Sequence, residues 1–135
     1  MSTEPWKASR FMVINRRVAG RIWRRAGMTA ILEVPGRRTG KPRRLTLIPW
    51  EVDGVPYLMS QYGVTEWVRN LRAAGRGELL HKGRTRAFQA IEVEGDERNR
   101  VIAEFKKRTP KPFRRDFDLR PDATDHPTFR LEPIG

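Results

Sequence analysis

Apolar residues recur at helical spacing near the start of the chain. Phe11, Ile14, Val18 and Ile22 follow one another at intervals of three and four residues, which is the spacing of one face of an α-helix. Arginine occupies much of the remaining surface, and Gly27 is placed to end the helix. The pattern predicts a basic amphipathic helix over residues 11–28 that packs on a core. A helix lying on an anionic membrane surface has the same composition and is the alternative.

Short β-rich runs separated by turn residues follow this helix. The run "TAILEV" (29–34) predicts a strand that Pro35 and Gly36 end, and the runs 44–52 and 55–60 flank Asp53–Gly54. Asp-Gly between two such runs favours a type I′ hairpin, because both central residues of that turn need a positive φ. Further strands are expected over residues 78–81, 85–93 and 128–131, with a turn at Lys82–Gly83.

Two more helices are predicted from caps and apolar stripes. Thr65 is placed to cap a helix that ends before Gly75, and Asp96 is placed to cap one that runs to Arg108. Strands joined by tight hairpins, with few helices between them, favour an α+β fold with a mainly antiparallel sheet or small barrel and helices packed outside it. The 135 residues fit a single domain, with residues 1–28 as its N-terminal helix and residues 29–135 as its body.

Composition excludes several kinds of functional site. The chain has no Cys, which excludes disulfides and thiolate catalysis, and its two histidines, His81 and His126, lie too far apart in sequence to suggest a metal pair. We therefore expect no metal. Neither a membrane-spanning run nor a signal-peptide pattern is seen, so the protein is expected in the cytoplasm.

Positive charge is concentrated near the N-terminus. Of the formal net charge of +12, residues 1–44 contribute +10, with twelve Lys or Arg against two acidic residues. The partner is therefore expected to be anionic, and peripheral contact with an anionic membrane at the inner face of the cell is one form this could take. The oligomeric state is not indicated by the sequence.

The densest charge lies in "PGRRTGKPRR", residues 35–44, called here the basic segment. Gly36 and Gly40 allow a tight turn whose amide N–H groups could join the cationic side chains in holding an anion. The spacing matches neither a P-loop nor a dinucleotide-binding fingerprint. A solvated loop, a site for a small anionic ligand and a nucleic-acid surface all remain open for this segment. The chain lacks a helix-turn-helix, an RNP-type motif and a zinc finger, so nucleic acid is not the expected partner, and a nucleic-acid-binding module stays only as an alternative function.

Four motifs in order resemble those of the deazaflavin-dependent nitroreductase and quinone reductase family. They are "GRRTGKPR" (36–43), "SQYG" (60–63), "WVRNL" (67–71) and the closing "LEP" (131–133). The resemblance implies a split β-barrel, related to that of flavin-mononucleotide-binding reductases, with coenzyme F420, an 8-hydroxy-5-deazaflavin, as cofactor. It also implies hydride transfer from the reduced coenzyme to a quinone, a nitro compound or another activated small-molecule acceptor.

The resemblance also assigns cofactor-binding residues by motif position. Cationic residues of the basic segment would hold the phosphate and glutamate tail, the following strand would run along the deazaflavin ring, and two further motifs would complete the site. The residues implied are Arg37, Arg38, Thr39, Gly40, Lys41, Arg43, Arg44, Leu45, Thr46, Leu47, Ile48, Ser60, Gln61, Trp67 and Asn70. No catalytic residue is assigned, because the reactive carbon of a hydride carrier belongs to the cofactor.

Two departures from the family pattern leave a second function open. The segment between Ser60 and Trp67 is shorter than in the family, and the last third of the chain has Phe113 and Phe117 but no Tyr. The alternative is a protein that binds the coenzyme or another hydrophobic anion, such as a fatty acid, with little turnover.

Overall fold

The computed structural model describes residues 29–134, so the helix predicted over residues 11–28 lies outside the described residues. The strands are β1 (Ala30–Pro35), β2 (Pro42–Leu47), β3 (Trp50–Val52), β4 (Val55–Met59), β5 (Arg76–His81), β6 (Arg84–Val93) and β7 (Thr128–Pro133). The helices are α1 (Glu66–Ala74), α2 (Gly95–Arg108) and α3 (Arg115–Asp118), with 3-10 turns at Lys111–Phe113 and Ala123–Asp125.

All seven strands belong to one antiparallel sheet in the order β2-β1-β5-β6-β7-β4-β3. The sheet has the form of a half-barrel, and helices pack against it. The α+β prediction with a mainly antiparallel sheet is therefore confirmed. Within residues 29–134 no helix is long and apolar enough to cross a membrane.

One predicted strand is wrong. Residues 44–52 were expected to form a single strand, but the chain leaves the sheet at Ile48 and Pro49, and the two halves become β2 and β3 at opposite edges of the sheet. Pro49 lacks the N–H that a ladder would use, so the chain breaks there. Ile48 packs instead against the apolar cluster under α2.

Both predicted hairpin turns are confirmed. Asp53 and Gly54 have φ values of 54° and 79°, and Lys82 and Gly83 have φ values of 53° and 75°. Two successive positive φ values are the requirement of a type I′ turn. These turns place the ends of β3, β4, β5 and β6.

The sheet supports two apolar clusters. The first lies under α1, where Val68 and Leu71 pack on strand residues such as Leu32 and Phe88. The second lies under α2, where the apolar stripe of that helix, Val101, Ile102 and Phe105, is buried. Trp50 meets Phe105 edge-on in this second cluster, with ring centroids 5.4 Å apart, so it is a core residue.

The helix starts differ in part from the sequence prediction. Thr65 has the N-cap position of α1, but its hydroxyl is buried and makes no hydrogen bond within the described chain. Asp96 is not the cap of α2. The helix begins at Gly95, which has φ 60°, and Glu94 has the N-cap position. Asp96 lies within the first turn, where its negative charge is favoured by the helix dipole.

Candidate cofactor site

The loop of residues 36–41 joins β1 to β2 and is closed by its own backbone. The Gly36 amide donates to the Lys41 carbonyl and the Gly40 amide donates to the Gly36 carbonyl, both at 2.8 Å. Gly40 has φ 76°, a conformation that favours glycine, and a Cβ on Gly36 would lie 3.1 Å from the Lys41 carbonyl oxygen, which is a tight contact. The Lys41 amide donates to Thr39 Oγ1 at 3.2 Å.

This closure changes the expected role of the loop backbone. The amides of Gly36, Arg37, Gly40 and Lys41 all donate to acceptors in the chain. Among residues 29–134, the amides of Arg38 and Thr39 are left without an acceptor. An anion at this loop would therefore be held mainly by side chains and not by a ring of amide donors.

Arg37 ties the loop to α1. Its amide donates to Asn70 Oδ1 at 3.0 Å, and its guanidinium donates both to Asn70 Oδ1 at 2.9 Å and to Glu66 Oε1 at 2.8 Å. The hydrogen bond from Arg37 is the main cause that lowers the pKa of Glu66 below its usual value. Asn70 is buried and Glu66 is exposed. We call this group of three residues the Arg37 tie.

Arg38, Lys41 and Arg43 are in a different state. All three are exposed, and none makes an ion pair or a side-chain hydrogen bond with any part of the chain that the structure describes. The side chain of Arg43 lies across Gly36, with Nε 3.3 Å from where a Cβ would be. These cations are available for an anion, whereas Arg37 already has a carboxylate partner.

Strand β2 presents two different faces. Leu45 and Leu47 pack against the cluster under α1, while Arg44 points to the other side of the sheet, where its Nε lies 2.8 Å from Glu33 Oε1. Residues of alternating position point to opposite sides of a strand. Of the stretch predicted to follow the ring, Leu45 and Leu47 share the α1 side, whereas Ile48 has left the strand.

Ser60 and its neighbours form a loop that is held from within. The Ser60 hydroxyl donates to the Gly63 carbonyl, and the Ser60 amide donates to the Pro127 carbonyl at 2.9 Å. Nδ1 of His126 lies 2.9 Å from the Ser60 carbonyl oxygen, and Nε2 lies 2.6 Å from the Arg120 carbonyl oxygen. The imidazole ring stacks on the ring of Phe117, with the two ring centroids 3.7 Å apart. Buried His126 therefore fixes this loop and is not exposed to a ligand.

The structure brings several predicted site residues together. Asn70 meets Arg37 directly, and Trp67 is half-buried on the same helix, with its ring centroid 6.0 Å from that of Phe129. Ser60 is buried and Gln61 is half-buried at the end of β4, and no hydrogen bond links either to the basic segment. Glu66 was missed by the sequence prediction, because 29 residues separate it from Arg37 and no motif joins the two.

Residues 7–120 match the sequence family described as F420H(2)-dependent quinone reductase. The chain belongs to this family. This match agrees with the resemblance carried by the motifs. No curated protein is matched by the sequence.

Solved structures similar to this family member support the fold. The protein Atu2129 of Agrobacterium tumefaciens, of unknown function, superimposes with a TM-score of 0.65 at 24% identity over 81% of this chain and 49% of its own. The present chain thus spans about half the length of that protein. The heme storage protein HutZ of Vibrio cholerae has a TM-score of 0.62 at 18% identity, covering 85% of this chain and 87% of its own.

A structure described as the F420-H2 dependent reductase FDR-A is also similar to this family member. Its TM-score is 0.61 at 20% identity, with 78% of this chain and 94% of FDR-A covered. At this level of identity the likeness concerns the fold.

Proposed function

We propose that this protein transfers a hydride from reduced coenzyme F420 to a quinone, a nitro compound or another activated small-molecule acceptor. One observation carries the proposal: a loop closed on its own backbone holds three exposed cations beside α1, Arg38, Lys41 and Arg43, whose side chains make no ion pair or hydrogen bond with residues 29–134. The anionic coenzyme implied by the family fits such a set of cations.

The cationic side chains would hold the phosphate and the glutamate carboxylates of the coenzyme. Arg38 and Lys41 are the leading contacts, because both are exposed and neither forms an ion pair with a carboxylate of residues 29–134. Arg37 keeps the loop against α1 through Asn70 and Glu66, so its contribution is positioning. Charge-assisted contacts of this kind are directional and raise affinity for oxyanions.

The deazaflavin ring would lie on the α1 side of β2. Leu45 and Leu47 offer an apolar surface there, with Trp67 half-buried on the neighbouring helix. The bound coenzyme supplies the hydride, so the protein needs only to orient the ring, exclude water and present the acceptor at short range. Ser60 and Gln61 would contribute through the loop that His126 holds, and Tyr62, which is 54% exposed, is an aromatic contact available to the acceptor.

The F420 proposal is tested by binding and turnover together. Fluorescence titration with oxidised coenzyme should give saturable binding in the micromolar range. Oxidation of the reduced coenzyme should then depend on both the protein and an added quinone such as menadione. Absence of saturable coenzyme binding would contradict the proposal.

A second candidate function is coenzyme binding with little turnover. It is favoured by the C-terminal third, where Phe117 is buried against His126 and so is not available to an acceptor, and where no Tyr occurs. Tight coenzyme binding without oxidation by menadione or a nitroaromatic would favour this candidate over the first. The predicted peripheral contact with a membrane depends on residues 11–28, outside the described residues.

A further inference from the structure

A second positively charged site lies at the other end of the sheet from the basic segment. A cavity of about 410 Å³ opens between the β3–β4 hairpin and the β5–β6 hairpin. Its apolar wall includes Leu79, Phe88 and Leu131, which also belong to the cluster under α1. Three proline rings complete the wall: Pro49 just before β3, Pro56 in β4 and Pro133 in β7. The volume is within the range of small-molecule sites in proteins.

The rim of this cavity carries three cations and one carboxylate, that of Glu51, so its charge is positive on balance. Lys82, Arg84 and Arg86 line it and are exposed, and none of their side chains makes an ion pair or a hydrogen bond with residues 29–134. Arg84 and Arg86 are two residues apart on β6, so both side chains point to the same side of the sheet as Phe88. Cations concentrated over an apolar wall match a ligand that has an apolar body and an anionic group.

The cavity is separate from the proposed coenzyme site. Ala30 pairs with His81 at the cavity end of β1, and Pro35 leads into the basic loop at the other end. Five residue steps lie between them, which is about 17 Å of strand at about 3.4 Å per residue. None of the residues placed in the coenzyme site lines the cavity.

We propose that this cavity binds an amphipathic anion: a compact apolar molecule, ring or short chain, with a carboxylate-type head group held by Arg84 and Arg86. The apolar wall accounts for the body of the ligand and the two guanidinium groups for its charge. This site goes beyond the proposed hydride transfer and does not depend on it.

A matched pair of fluorescent probes tests the assignment. 8-Anilinonaphthalene-1-sulfonate carries the apolar body and an anionic group, and N-phenyl-1-naphthylamine has the same body without the charge. In the double variant Arg84→Ser/Arg86→Ser, the dissociation constant of the sulfonate probe should rise about fivefold or more at low ionic strength, because charge-assisted contacts are lost. The neutral probe should bind within about twofold of its original affinity, since the apolar wall is unchanged.

The control variant Lys107→Ser/Arg115→Ser removes the same charge from exposed positions outside the cavity and should leave both probes unaffected. Decanoate should displace the sulfonate probe, whereas inorganic phosphate at the same concentration should not. If Arg84→Ser/Arg86→Ser weakened the binding of both probes equally, or did not weaken the binding of the sulfonate probe, the proposal would be overturned. The proposal would also be overturned if a second copy of the chain covered this face and kept the probe out. Sedimentation would detect such a dimer.

The sulfonate probe should also stay bound when the coenzyme is saturating, and Arg38→Ser/Lys41→Ser should not alter its affinity. If the coenzyme displaced the probe, the cavity would be part of the coenzyme site, and the proposal of a separate site would be overturned. Failure of coenzyme binding alone would contradict the proposed function and leave the cavity assignment standing.

Discussion

Two cationic regions lie at opposite ends of β1 and β5, and they are built differently. At the loop end, the cations lie on a turn closed by its own backbone and tied to α1 by Arg37. At the cavity end, Arg84 and Arg86 project from a regular strand over an apolar wall. The first arrangement suits a strongly charged tail, and the second suits an apolar molecule with a single charged group.

The loop end contains a further contrast between neighbouring arginines. Arg37 is neutralised by Glu66 and hydrogen-bonded to Asn70, whereas Arg38 has no hydrogen bond or ion pair within residues 29–134. Adjacent residues of the same type thus have different tasks: one shapes the loop and the other is available to a ligand. Counting cations in the sequence does not separate the two tasks.

The largest expected effect is a difference in coenzyme affinity between variants at the two ends of the sheet. Arg38→Ser/Lys41→Ser should raise the dissociation constant of coenzyme F420 at least about tenfold, because two charge-assisted contacts are lost. Arg84→Ser/Arg86→Ser should change it by no more than about twofold. Fluorescence titration measures both. Equal losses in the two double variants would mean that net charge, and not the loop, governs coenzyme affinity.

The next effect concerns the buried member of the Arg37 tie. Asn70→Ala should lower the free energy of unfolding by about 1–2 kcal/mol, because the partly buried amide of Arg37 then lacks its acceptor. Asn99→Ala, at an exposed position on α2, should change it by less than about 0.5 kcal/mol. Urea unfolding measures both variants, and similar values for the two would contradict the structural role of Asn70.

A smaller effect separates the neighbouring arginines. Arg37→Met should increase amide hydrogen exchange at residues 36–41 and at the start of α1 by roughly two- to fivefold, the size expected for a largely exposed ion pair. Arg38→Met should increase that exchange by much less, since Arg38 makes no hydrogen bond there and has only a weaker Coulombic interaction with Glu66. If amide hydrogen exchange in this region increased equally in both variants, the assignment of Arg37 to positioning would be wrong.

The smallest effect is a pH dependence of the Arg37 tie. The hydrogen bond and charge of Arg37 hold the pKa of Glu66 below its ordinary value of 4.5. A carboxylate with a lowered folded pKa stabilises above its unfolded pKa, and that stabilisation is lost as the pH falls through the folded pKa. Amide protection of residues 36–41 should therefore decrease as the pH falls from 6 towards 3. In Glu66→Gln this decrease should be absent, and a decrease of equal size in that variant would rule out Glu66 as its cause.

Local signals predicted much of the fold. Asp53–Gly54 and Lys82–Gly83 marked the hairpins because positive φ values depend on the residue type at the turn itself. The apolar stripe of α2 was found because its members lie within two turns of helix. Each of these features depends on residues close together in the chain.

Features that depend on distant residues were not predicted. The break at Ile48–Pro49 separates two strands that end at opposite edges of the sheet, and sheet order follows from the whole topology. The pair Arg37–Glu66 and the cavity formed by β3 with β6 likewise join residues far apart in sequence. Asn70, which the motif resemblance implied for the site, does contact Arg37 of the basic segment, and its role towards the coenzyme stays a prediction.

The central claim is that the loop cations hold the anionic tail of the coenzyme while the ring lies on β2. The most direct test is to titrate the wild-type protein and Arg38→Ser/Lys41→Ser with intact coenzyme F420 and with the deazaflavin chromophore that lacks the phosphate and glutamate tail. The wild type should bind the intact coenzyme at least about tenfold more tightly than the tail-free chromophore, and the double variant should lose most of that preference. Equal affinity of the wild type for the two molecules, or an equal loss for both in the variant, would contradict the claim.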